Sequence, residues 1–135
     1  MLLLTGCARP APDQTELERR FEELLSGATL EGRFSVDGRE ELSRDTYAIS
    51  KVSKVSGDTW LFQARVQYGS HDVTVPIPLT VKWAGDTPMI TLTDLAIPGL
   101  GTYTARVLFH GNRYAGTWSG KTAGGEMFGK IVRSR

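Results

Sequence analysis

His71 and Asp72 stand side by side, a base and an acid of the types that exchange protons in general acid–base chemistry. Alternating apolar residues put both on a β-strand, however, and strand neighbours point to opposite faces, so the two cannot form a relay. His110 adjoins the Gly111-Asn112 turn, and both histidines read as strand-end residues facing solvent. Two histidines so placed and a single cysteine do not make a zinc set. Asp86 and Asp94 are the remaining candidate carboxylate pair, yet Asp86 belongs to a turn and Asp94 to a strand end. There is no Gly-x-Ser-x-Gly elbow and no phosphate loop, and Gly99-Leu-Gly101 reads as a turn. The expectation is a protein that is not an enzyme, with no catalytic residues, no bound metal and no cofactor.

Charge and composition narrow the partners. Sixteen basic residues against fifteen acidic ones give a net charge of +1, which supplies no basic field for nucleic acid. With 40% hydrophobic residues the chain can bury a core of its own. One cysteine, Cys7, excludes an internal disulfide. It ends the run Leu2-Leu-Leu-Thr-Gly-Cys7, and Leu4-Thr5-Gly6-Cys7 resembles the lipobox of bacterial lipoproteins. That resemblance implies lipidation of Cys7, a membrane anchor and a cell-envelope address. Ala8 after the cysteine implies sorting to the outer membrane, facing the periplasm. A signal peptide needs roughly 7–15 apolar residues before its cleavage site. Only Met1–Gly6 precede Cys7, so the lipobox reading expects a start further upstream. The alternative is an apolar N-terminus with an incidental thiol. Residues 8–12, Ala-Arg-Pro-Ala-Pro, suit a tether, so the chain divides into a 1–12 leader and tether and a single 13–135 domain.

The domain opens with one helix, predicted over 13–26. Asp13 is the N-cap, Glu16 completes a capping-box pattern, and Gly27 is placed for a left-handed C-cap. Leu17, Phe21, Leu24 and Leu25 form its apolar stripe. Everything from 29 to 133 reads as strand and turn. The clearest stretch is His71–Trp83, whose odd positions are apolar after His71 and whose even positions are solvent-facing. Trp60–Tyr68 alternates likewise across the Gly69-Ser70 turn, and Tyr47–Val55 slips phase near Lys51-Val52, which predicts a bulge. Short turns without helical crossovers make an all-β, antiparallel, up-and-down meander of about eight strands, a closed or split β-barrel.

Turn lengths set registers. A Gly69-Ser70 loop pairs Phe62 with Ile77, Ala64 with Val75 and Val66 with Val73. One at Gly111-Asn112 pairs Phe109 with Tyr114, Val107 with Gly116 and Ala105 with Trp118. One at Ala123-Gly124 pairs Trp118 with Gly129 and Lys121 with Glu126. These registers place Leu108, Ala115 and Val132 on an outer apolar stripe near Phe128, which the helix is expected to cover. Pro76 and Pro78 turn their missing donors toward the strand that follows, predicting a gap in that ladder.

Trp60, Phe62, Tyr68, Trp83, Tyr103 and Trp118 share the inferred interior, as a closed aromatic core or as the lining of a ligand cup. Ala115-Gly-Thr-Trp118 resembles the Gly-x-Trp signature of calycins, the lipocalin, avidin and fatty-acid-binding barrels, although in lipocalins that signature opens the barrel. The resemblance implies a small apolar ligand inside. The expected function is therefore a non-enzymatic envelope module for binding or assembly, with a calycin-like carrier of a small apolar ligand as the alternative. The expected partners are a membrane through the anchor, and a small apolar ligand or an envelope protein.

Overall fold

The computed structural model describes residues 11–133; Cys7 and most of the tether lie outside the described residues. A helix, α1 (Gln14–Leu25), precedes eight antiparallel strands. These are β1 (Ala28–Phe34), β2 (Ser43–Ser56), β3 (Thr59–Tyr68), β4 (His71–Ala84), β5 (Thr87–Ile97), β6 (Gly101–His110), β7 (Arg113–Ser119) and β8 (Gly124–Arg133). Each strand pairs with the next, and β8 returns to β1, closing the barrel. The inward positions form the core and most outward positions are polar, with ion pairs such as Arg65–Asp72 and Lys82–Asp58 on the outside. That is the reverse of a membrane-spanning barrel, whose outer band is apolar.

The hairpin registers follow from their loops. The β3–β4 and β6–β7 pairings fall on the predicted partners, because a two-residue loop leaves no freedom in the count. The β7–β8 register differs. Residues 120–123 form a four-residue connection, with the Gly120 N–H donating to the Ala123 carbonyl at 2.7 Å. Trp118 consequently faces Gly125, and Gly129 faces Tyr114. The shift is an even number of residues, so every side chain keeps its predicted face. The β2 bulge falls between Ile49 and Lys51, as the phase slip requires.

The ladder between β4 and β5 runs only from Thr80–Thr91 to Ala84–Thr87. Leu92–Ile97 pairs instead with β6 through a bulge at Asp94, whose φ is +48°. The β4 segment carrying Pro76 and Pro78 thus faces a seam, as expected from donors that proline cannot supply.

Helix α1 starts where the Asp13 carboxylate accepts from the Glu16 N–H at 2.9 Å. Glu16 does not reach back to complete the box. It binds Arg19 and Arg20, and those hydrogen bonds hold its exposed carboxyl down at about 2. Gly27, with φ +81°, ends the helix, and Arg133 donates to the carbonyls of Glu23 and Leu24, placing a cation at the helix C-terminus.

The expected cover over the outer stripe is not there. Leu108, Ala115 and Phe128 do align on the outer wall, with Val132 offset, but Phe128 is 46% exposed. The helix instead plugs one end of the barrel. Phe21 meets Trp60, Phe62, Trp83 and Phe109 with ring centroids 5.2 to 6.2 Å apart. The end of a barrel offers inward-facing aromatics on several strands at once, so it buries the Phe21–Leu25 stripe more completely than a flat wall could. Its connection to β1 is fastened there too, since Ser26 Oγ accepts from the Val52 N–H and the Gly27 N–H donates to Ile49.

Candidate functional site

Between the helical plug and the far end of the barrel lies an apolar cavity of about 230 Å³. Its wall is built from the inward residues of the strands, among them Leu30, Ile49, Ala64, Val66, Leu79, Ile90 and Val107. A cavity of about 150 Å³ lined by such side chains stays dry and accepts benzene, so this chamber has room for a somewhat larger apolar molecule.

Of the six aromatics assigned to a ligand cup, four line the cavity and two do not. Phe62 belongs to the wall, and Tyr68, Tyr103 and Trp118 form a collar at the end opposite the helix. The collar is completed by Phe34, edge-on to Tyr68 and to Trp118, and Tyr68 and Tyr103 share a 2.8 Å hydrogen bond between their hydroxyls. The Trp118 indole donates to the Ser35 carbonyl at 3.0 Å, so its polar atom is satisfied while its rings face the chamber. Trp60 and Trp83 pack against Phe21 at the plugged end, outside the cavity lining. Burial followed by the Tyr103 hydrogen bond pushes the Tyr68 hydroxyl above its usual pKa, so it stays protonated and able to donate.

The wall also holds a charged-type residue. Asp45 faces inward and is 2% exposed. Its Oδ2 accepts from the Tyr47 hydroxyl at 2.8 Å, while Oδ1 has no partner among the described residues. Desolvation pushes the Asp45 carboxyl above the usual range, partly opposed by the Tyr47 hydrogen bond. Along the ladder Tyr114 faces Gly129, Gly129 faces Gly32, and Gly32 faces Asp45. The two glycines make way for the Tyr114 ring: a Cβ on Gly32 would collide with the Tyr114 hydroxyl and the Phe128 carbonyl. That hydroxyl, also buried, is the second polar atom without a partner. Burial first and Asp45 second raise its pKa. Alternation begins this strand at Tyr47 and so leaves Asp45 outside it. Asp45 shares parity with Tyr47 and Ile49, and two more residues of strand would have put it inside.

The residues first weighed for catalysis lie apart from the chamber. Exposed His71 stacks on the Tyr68 ring at 4.7 Å, and Asp72 pairs with Arg65 at 2.7 Å, which holds its carboxyl low. Asp86 and His110 are exposed beside turns, and Asp94 sits in the β5 bulge. Among the described residues there is no cluster of three metal-ligating side chains, and no helix is long and apolar enough to cross a membrane. No family model, curated protein or solved structure matches the chain.

Proposed function

We propose that this protein is a non-enzymatic binding protein that holds a small, largely apolar molecule inside its barrel, in the manner of a calycin carrier. The observation that carries this reading is the cavity, whose lining is apolar apart from Asp45, the tyrosine hydroxyls and the Trp118 indole. Phe62 and Phe109, on which Phe21 packs, line it, and aromatic rings form a collar at the end away from the helix. A barrel of eight strands has room for either a filled core or one small ligand, and this one is hollow. The unpaired stretch of β4 beside β5 offers a route for entry, since parting it breaks no ladder hydrogen bonds. Lipidation at Cys7 would hold such a carrier at the envelope, outer-membrane anchored and facing the periplasm.

A second reading, assembly with an envelope protein, draws on the exposed Leu108 and Phe128, which border an outer groove containing Arg33, Arg44, Arg113 and Lys130. Native mass spectrometry of protein purified without detergent separates the two. The carrier reading expects a discrete extra mass released on denaturation, or uptake of added toluene. A bare mass together with no toluene uptake sinks it. For the anchor, palmitate labelling in a bacterial host with a signal sequence upstream should vanish in Cys7→Ser; an unlabelled parent removes the anchor.

A further inference from the structure

Two buried polar atoms with nothing to bind belong to residues that line the chamber. Asp45 Oδ1 and the Tyr114 hydroxyl are the only buried side-chain polar atoms without a partner among the described residues. A buried polar group left unpaired costs about 1–3 kcal/mol. A protein whose chamber held only hydrocarbon would be rid of that cost by carrying Leu and Phe at these positions. The geometry points to an apolar amine as the ligand: its N–H groups bind Asp45 Oδ1 and the Tyr114 hydroxyl, and its hydrocarbon body fills the chamber toward the Trp118 collar. This rests on the carrier reading and specifies the ligand's polar end.

Three observations favour an amine over other polar ends. The cavity lining contains one acidic residue, Asp45, and no Lys, Arg or His. A carboxylate or phosphate ligand in the chamber would therefore be desolvated against a carboxyl with no cation in the chamber lining to offset it. An alcohol can donate one hydrogen bond to Oδ1, whereas an ammonium has several donors and a charge complementary to an ionised Asp45. Finally, Tyr47 already donates to Oδ2, so half of the carboxylate is oriented in advance and the other oxygen is left for the ligand. The Tyr114 hydroxyl can accept as well as donate and has no partner of its own among the described residues, so it can serve a second ligand N–H.

The test is isothermal titration calorimetry of the full chain with four probes of similar size: 2-phenylethylamine, 2-phenylethanol, phenylacetate and toluene. The amine is expected to bind about tenfold or more tighter than the alcohol, with phenylacetate weakest, as a charge-assisted hydrogen bond implies. Asp45→Asn, which keeps the acceptor for Tyr47, should remove most of that preference. Phenylacetate binding as tightly as the amine, or a ranking unchanged in Asp45→Asn, overturns the amine assignment while toluene binding keeps the carrier. Binding of none of the four overturns both. The wild-type ranking alone decides the matter if the variant fails to fold.

Discussion

Phe21→Ala is the sharpest perturbation of this architecture, because one side chain joins the helix to three strands. Phe21 is 2% exposed, and its ring lies edge-on to Trp60, Phe62, Trp83 and Phe109. Returning a fully buried phenyl group to water costs about 2 kcal/mol. If half of the roughly 100 Å³ it vacates stays empty, the cavity adds about 1 kcal/mol. The edge-to-face contacts, taken together and not counted four times, add about 1 kcal/mol beyond their area. The expected loss is about 4 kcal/mol, inside the range seen for buried Phe→Ala changes. For a domain of this length that is a fall in Tm of about 15 °C. Urea unfolding followed by tryptophan fluorescence and far-ultraviolet circular dichroism gives the number directly. As a control, Glu18→Gln breaks a partly exposed ion pair from the same helix to Lys54 and should cost no more than about 1 kcal/mol. A loss in Phe21→Ala no larger than in that control would refute the plug, because the helix would then contribute nothing to the barrel through its apolar stripe.

Other outcomes follow from the polar groups and the close strand contacts. The folded protein holds the Asp45 proton more tightly than the unfolded chain does, so its stability falls as pH rises from 3.8 through the raised folded pKa. Asp45→Asn, with no proton to lose, should be more stable than the parent at neutral pH, with the difference shrinking on the acid side of 3.8; equal urea midpoints at neutral pH would contradict this. Gly32→Ala should destabilise by about 2 kcal/mol or more even in a Tyr114→Phe background, since the Phe128 carbonyl remains in the way; full rescue by Tyr114→Phe would place the whole conflict at the hydroxyl. Arg65→Ala should return the lowered Asp72 carboxyl toward its ordinary titration range, a shift readable by carbon-detected NMR.

The strands were legible because a buried face imposes a period of two, and alternation such as Val73-Val75-Ile77-Leu79-Val81 has one reading. Two-residue loops made two registers legible as well. The β7–β8 register was not, because counting assumes a minimal loop and residues 120–123 form a longer one. The helix was legible as an element but not as a neighbour. Its stripe says that one face is buried, and nothing local says whether a wall or a barrel end receives it. The cup was half legible: parity placed all six aromatics inside, while height along the barrel, which separates Trp60 and Trp83 from Tyr68 and Trp118, depends on strand stagger. The chamber itself is a residue of packing, set by how the inward side chains of the strands fill the barrel. Asp45 was hidden by its type, since a carboxylate at the start of a strand is ordinarily read as part of the preceding turn.

Closure between β1 and β8 has a consequence for how this chain folds. Ala28 pairs with Arg133, so the first and the last strands of the barrel form a single ladder across more than a hundred residues. Until β8 has been synthesised, β1 and β7 are both raw edges, and a nascent seven-stranded sheet is a template for pairing with its neighbours on a polysome. The most sequence-distant contacts come last, which places this barrel among the slower folders for its size. Arg133 arrives with that final strand and grips the carbonyls of Glu23 and Leu24, so the same event that seals the wall also latches the plug.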